Sequence, residues 1–110
     1  MALITLEEAK KYLRVDYSDD DGLIGSLLSS SLHLCADIAR LTAEEWEDID
    51  SEKVRSIRFT GDDIRTVREV MKTAILYSLA YLYEHREDAD HHALTLTLRS
   101  LLFGIRKEGF

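Results

Sequence analysis

The apolar positions of the chain fall into separate runs at helical spacing. Thr5 followed three residues later by Glu8 is a capping-box pattern, and Leu6, Ala9 and Leu13 then recur with a helical period. A first short helix is predicted from Leu6 to Leu13. Arg14 to Asp21 is polar and ends in Ser18, Asp19, Asp20 and Asp21, which offer an N-cap and carboxylates for the positive end of a helix dipole. From Asp20 to about Leu41, the residues Leu23, Ile24, Leu27, Leu28, Cys35 and Ile38 keep one face, while Ser26, Ser29, Ser30, His33 and Asp37 lie mostly on others. This is a second helix. Gly22 and Gly25 weaken its start, where small residues would admit a neighbouring backbone.

Thr42 to Gly61 has a different character. Thr42, Ala43, Glu44 and Glu45 form another capping box, with Trp46 and Ile49 the main apolar side chains that follow. A short helix is predicted around Ala43 to Asp48, whereas Val54 to Phe59 fits either an extended or a helical backbone. Beyond Gly61, Asp62 and Asp63 suit an N-cap and first turn. Ile64, Val67, Val70, Met71, Ala74, Ile75, Ser78, Leu79 and Leu82 then form the longest stripe of the chain, a third main helix running to about Glu84. Glu87 to Asp90 is a polar break. A last helix is predicted from His91 to Phe103, with Leu94, Leu98, Leu101 and Leu102 on one face and Gly104 at its C-terminal cap. Leu94 to Leu98 also alternates as a strand does, but a lone strand has no partner, so helix is preferred. The pattern predicts an all-α fold: one domain over residues 1–110, a bundle of about four helices with a long central third helix and a long charged loop before it.

Composition supports this reading. Proline is absent, Gly numbers five, and 45% of residues are hydrophobic against 32% charged, as in a globular rather than a disordered chain. A domain of this size buries roughly 65% of the surface of its unfolded chain, enough for one modest core. The single cysteine, Cys35, has no internal disulfide partner, and the N-terminus lacks the basic segment and longer apolar stretch of a signal peptide, so synthesis in a reducing cytoplasm is expected. The most apolar segment, Ala74 to Tyr83, is about half the length of a membrane span, and no membrane insertion is expected.

Net charge is −7, unevenly distributed: residues 1–60 hold 13 acidic and 7 basic side chains, residues 61–110 hold 8 and 7. An acidic chain provides at most a local basic face for nucleic acid. Arg65, Arg68 and Lys72, at i, i+3 and i+7, form such a stripe; it is compatible with a solvated face, with carboxylates on a protein partner, or with phosphates. Ala74 to Tyr83 is apolar or aromatic nearly all round, so it requires cover on more than one side, from the rest of the chain or from another copy. His85, His91 and His92 with Glu84, Asp88 and Asp90 resemble metal ligands but lack a familiar two-His helical spacing. Cys35 belongs to the apolar stripe and reads as a core residue. There is no Gly-rich phosphate loop, nucleophile elbow or paired buried carboxylates. No enzyme activity, cofactor or metal is expected.

Three segments carry a resemblance. The opening Ile4-Thr-Leu-Glu-Glu-Ala-Lys-Lys-Tyr-Leu-Arg-Val-Asp16 leads through Asp19, Asp20 and Asp21 into Leu23 and Ile24. Later come Ala74-Ile-Leu-Tyr-Ser-Leu-Ala-Tyr-Leu-Tyr-Glu-His-Arg-Glu87 and the closing Leu101-Leu-Phe-Gly-Ile-Arg106. In order and spacing these resemble the tailed-phage head-tail connector (adaptor) family, small helical ring proteins once regarded as DNA-packaging proteins. Leu101, Leu102, Phe103 and Arg106 are similar to that family's C-terminal signature. The resemblance covers most of the chain except Thr42 to Gly61, where related chains have a shorter link that often contains proline.

Several expectations follow from the resemblance. The chain would be a structural virion protein at the head-tail junction, a homo-oligomeric ring under the portal that extends the DNA channel and docks tail-side connector proteins, with the genome as non-specific cargo. Ring contacts are heterologous, joining unlike faces. The expected interface sets Arg65, Arg68 and Lys72 against Asp19, Asp20 and Asp21 of an adjacent copy, with Tyr77, Tyr81 and Leu82 as apolar contacts. Rival readings are a DNA-binding regulator using the third helix, an unrelated helical protein-interaction module, and a metal enzyme using the histidines.

Overall fold

The computed structural model describes residues 3–51, 61–85 and 87–103. Among them are five helices: α1 (Leu6–Leu13), α2 (Asp21–Ile38), α3 (Ala43–Ser51), α4 (Gly61–Glu84) and α5 (His91–Leu101). The all-α expectation is met, with one more helix than the expected four. The charged segment after α2 is not simply a loop, because its first part closes a helix. Thr42 Oγ1 accepts from Glu45 N at 3.1 Å, Thr42 N donates to Glu45 Oε1 at 2.9 Å, and Ile49 is fully buried. Val54 to Phe59 lies outside the described residues.

Helix ends follow local chemistry. Thr5 and Glu8 form the predicted capping box on α1. Its other end closes with Val15 N–H on Lys10 O at 2.9 Å and Arg14 N–H on Lys11 O at 3.1 Å, with Arg14 left-handed at φ 60°. The same pair of bonds ends α2: Leu41 N–H reaches Ala36 O and Arg40 N–H reaches Asp37 O, each at 3.0 Å, with Arg40 at φ 58°. That turn stops α2 at Ile38, three residues before the expected Leu41. Asp20 does not cap α2 with its side chain. In α5, Asp90 Oδ1 accepts from Ala93 N at 3.0 Å, and the Thr95 and Thr97 hydroxyls donate to the carbonyls of His91 and Ala93. Leu94 and Leu98 are buried whereas Leu96 is half exposed, one helical face rather than a strand's alternation.

α4 organises the domain, since it packs against each of the other four helices; α2 additionally meets α1 and α5. Ile24, Leu28 and Cys35 of α2 share a core with Ile64, Val67, Met71, Ala74, Ile75 and Leu79 of α4, closed by Ala9, Ile49, Leu94, Leu98 and Leu102. At about 100° per residue, Lys72, Leu76 and Tyr83 stand on one side of α4 and Val70, Tyr77 and Tyr81 on the other. α1 lies on the first side, where Lys72 Nζ is 2.6 Å from Glu8 Oε2. α5 runs antiparallel along the second: Asp90 N donates to Tyr81 Oη at 2.8 Å near one end, and Leu101 lines a groove with Val70 and Thr73 near the other. The apolar half of α4 is thus covered by α2 in front and by α1 and α5 at its flanks. Tyr77, 40% exposed, is its most open large apolar side chain.

Gly22 and Gly25 have no heavy atom within 4 Å of an added Cβ, so neither admits a neighbouring helix within the chain, contrary to the expectation from sequence. Gly25 lies in an exposed helix interior, where glycine only adds entropy to the unfolded state. Gly25→Ala should therefore stabilise the domain by about 0.5–1 kcal/mol, read as a higher urea midpoint with unchanged slope.

Candidate functional site

The residues expected to form an interface divide into two groups. Of the charged ones, Lys72, Asp20 and Asp21 gather on the α1 flank. Glu8 of α1 holds Lys72, and Lys10 of α1 lies 2.7 Å from Asp21 Oδ1, so the basic stripe and the acidic turn are joined through one helix. Asp20 Oδ2 accepts from Tyr83 Oη at 2.6 Å, and Tyr17 Oη lies 3.5 Å from the same hydroxyl. Donation to the Asp20 carboxylate, aided by the contact with Tyr17, pushes the Tyr83 hydroxyl above the ordinary tyrosine pKa. Asp19 and Arg65 are exposed.

Arg68, half-buried, binds backbone. Its Nη1 donates to Ile49 O and, at 3.2 Å, to Asp50 O, two carbonyls of the last turn of α3. The guanidinium thereby ties α4 to the backbone of α3 through charge-assisted hydrogen bonds. The Asp50 side chain meanwhile accepts from Leu3 N at 2.9 Å. One residue of α3 thus links the N-terminal segment to α4. Nothing in the spacing of Arg65, Arg68 and Lys72 distinguishes the middle cation as a tie to α3, because its partner is backbone 19 residues away.

Apolar residues dominate the α5 flank. Val70, Thr73 and Leu101, with Glu69, line a groove between α4 and α5, and Tyr77 stands on the same side of α4. Leu96, Arg99, Ser100 and Phe103 line a shallow pocket on the outer side of α5; Leu96 is 50% and Phe103 77% exposed. Of the family-like C-terminal segment, Leu102 is fully buried, Leu101 is 39% exposed rather than on the core face, and Arg106 lies outside the described residues. Tyr81 and Leu82 are half-buried against the core; the Tyr81 ring stacks on His85 with centroids 4.6 Å apart.

The histidine cluster separates. His85 Nδ1 is 3.4 Å from Asp88 Oδ1, Asp90 caps α5, and His91 and His92 are exposed. Among the described residues no three His, Cys, Asp or Glu side chains converge to hold a metal ion. Cys35 is fully buried, and burial pushes its thiol up to about 12, so it carries little thiolate at neutral pH. Among the described residues no helix is long and apolar enough to cross a membrane.

Two substitutions test these ties. Arg68→Ala should cost about 1.5–3 kcal/mol in urea unfolding, the usual worth of hydrogen bonds from a charged donor, and Arg68→Lys should recover part of it. Lys72 holds the Glu8 carboxyl below its ordinary pKa, chiefly by a hydrogen bond, against an opposing desolvation effect and with help from Thr5. A lowered folded-state pKa contributes stability above the unfolded value, lost as pH falls through the folded one. Glu8→Gln preserves the capping box but removes this charge. It should cost less than about 1 kcal/mol at pH 7, because the pair is partly exposed, and nothing once pH has dropped below the folded-state value.

No curated protein and no solved structure matches the chain. Against known families, residues 3–108 match the phage gp6-like head-tail connector proteins. That span takes in all five helices, including the charged α3 segment that the motifs of the sequence left uncovered. The chain belongs to the phage gp6-like head-tail connector family.

Proposed function

We propose that the protein assembles as a ring beneath the portal at the capsid vertex, extends the DNA channel and offers tail-side connector proteins a docking surface. The observation that carries this reading is the family match over nearly the whole chain. The physical chemistry agrees with it. The core is filled by side chains, and the potential reactive groups, Cys35 and the histidines, are respectively buried and dispersed. Two cations of the basic stripe, Arg68 and Lys72, have partners within the chain, which disfavours use of that stripe on DNA phosphates. The net charge of −7 suits passage of DNA as non-specific cargo, since an acidic wall repels the phosphate backbone.

For the contact between copies, a pairing other than that of Arg65, Arg68 and Lys72 with Asp19, Asp20 and Asp21 of an adjacent copy is the better candidate. Lys72 and Asp21 both bind α1 within the subunit, Arg68 is engaged on α3, and a contact that joins like flanks is isologous and closes as a dimer. A ring requires a different pairing.

The test is to mix the purified chain with the portal protein of the same phage and to follow co-sedimentation and negative-stain images. A ring density stacked on the portal is the expected outcome. Absence of capture across a range of stoichiometries overturns the reading.

A further inference from the structure

We propose that the α5 flank, formed by Tyr77, Leu96, Leu101 and Phe103, seats the α1 flank of the next copy, centred on Tyr12 and Tyr17. This deepens the ring reading and rests on it. Four large apolar side chains on α5 and the adjoining side of α4 are 39–77% exposed, Tyr77 and Leu101 beside the α4–α5 groove and Leu96 and Phe103 on the outer side of α5. Exposed apolar side chains in two neighbouring depressions, with Glu69 lining one and Arg99 the other, are typical of a surface that meets protein. Tyr12 and Tyr17 are each 50% exposed. Glu8 and Lys72 join α1 to α4, and Tyr12 and Leu76 stand one turn further along the same helices, so Tyr12 lies toward the α1–α4 seam. Tyr17 reaches Tyr83 on that same side of α4.

Three observations select a second copy as the occupant. First, the two apolar sets lie on opposite flanks of α4, as a head-to-tail contact demands; either set meeting itself would close a dimer. Second, the charges complement each other. Residues 3–21 carry six acidic and three basic side chains, whereas residues 91–103 carry no acidic side chain and one arginine, Arg99. Arg99 lines the pocket beside Phe103, and Asp16 and Asp19 are exposed beside Tyr17 in sequence. Third, the exposed aromatic and arginine residues are those that dominate protein contacts: tyrosine on one flank, phenylalanine, tyrosine and arginine on the other.

The test uses Tyr12→Asp and Phe103→Asp, each exposed and each checked for native helicity by circular dichroism. Native mass spectrometry follows each variant, their equimolar mixture and the wild type, with and without the portal protein. Each variant alone should need at least about tenfold more protein than the wild type to associate. The mixture should stop at a heterodimer, because one intact flank on each partner makes a single junction. Wild-type rings together with a variant that still forms rings overturn this pairing and leave the ring reading standing. Monomeric variants whose mixture is also monomeric overturn it too, since unlike flanks must complement. A wild type that associates neither alone nor on the portal overturns both readings.

Discussion

The second half of α4 is too apolar to be a surface helix, and the other helices are arranged by the need to cover it. Ala74, Ile75, Ser78 and Leu79 are fully buried, and Leu76, Tyr81, Leu82 and Tyr83 are partly covered. No single neighbour can cover more than one side of a helix. The chain therefore supplies α2 at the front and α1 and α5 at the flanks, and each brings its own apolar stripe to the same core. Most of the excess hydrophobicity of α4 is an internal matter. What remains for a partner is displaced outward, to Tyr77 and to the outer residues of α5.

Polar contacts fix how the covering helices sit. Tyr81 holds the start of α5, Lys72 holds α1, and Arg68 holds the end of α3. All three anchors are on α4, so the helix that supplies the core also sets the register of its neighbours. Arg68 is the most consequential, because a charged donor makes a stronger hydrogen bond to a backbone carbonyl than a neutral one does. The exposed pair Lys72–Glu8 is worth less, since water competes for both ions. Charges used in this way are committed within the subunit, and the large side chains left exposed are Tyr12 and Tyr17 on the α1 side and Tyr77, Leu96, Leu101 and Phe103 on the α5 side.

The elements were legible wherever local chemistry decides them. The capping boxes at Thr5 and Thr42 located two helix starts, and the stripe from Ile64 to Leu82 located α4, because both signals lie within a few residues of the structure they specify. The end of α2 was less legible: its left-handed terminator is Arg40, where glycine would have marked the turn. The role of Arg68 was not legible at all. A stripe at i, i+3 and i+7 reports a shared helix face, not what lies opposite it, and here the three positions meet α3 carbonyls, a carboxylate on α1 and solvent. Leu101 was assigned to the core and is partly exposed because Leu102, one position on, takes the inward direction.

Position on the fold also changes what a charge distribution means. Counted along the chain, an acidic first part and a nearly neutral second part suggest unlike faces, but folding ties Lys72 to α1, which also holds Asp21, and Arg68 to α3. The asymmetry that survives folding is different: α1 with the acidic turn on one side of α4, and α5, without a carboxylate from His91 to Phe103, on the other. A subunit with two different flanks can add a copy at each side indefinitely, and a closed ring results when the turn per copy divides a full rotation. In the proposed ring, closure would be a property of the angle between the flanks, which α4 sets by holding α1 and α5 on its opposite sides.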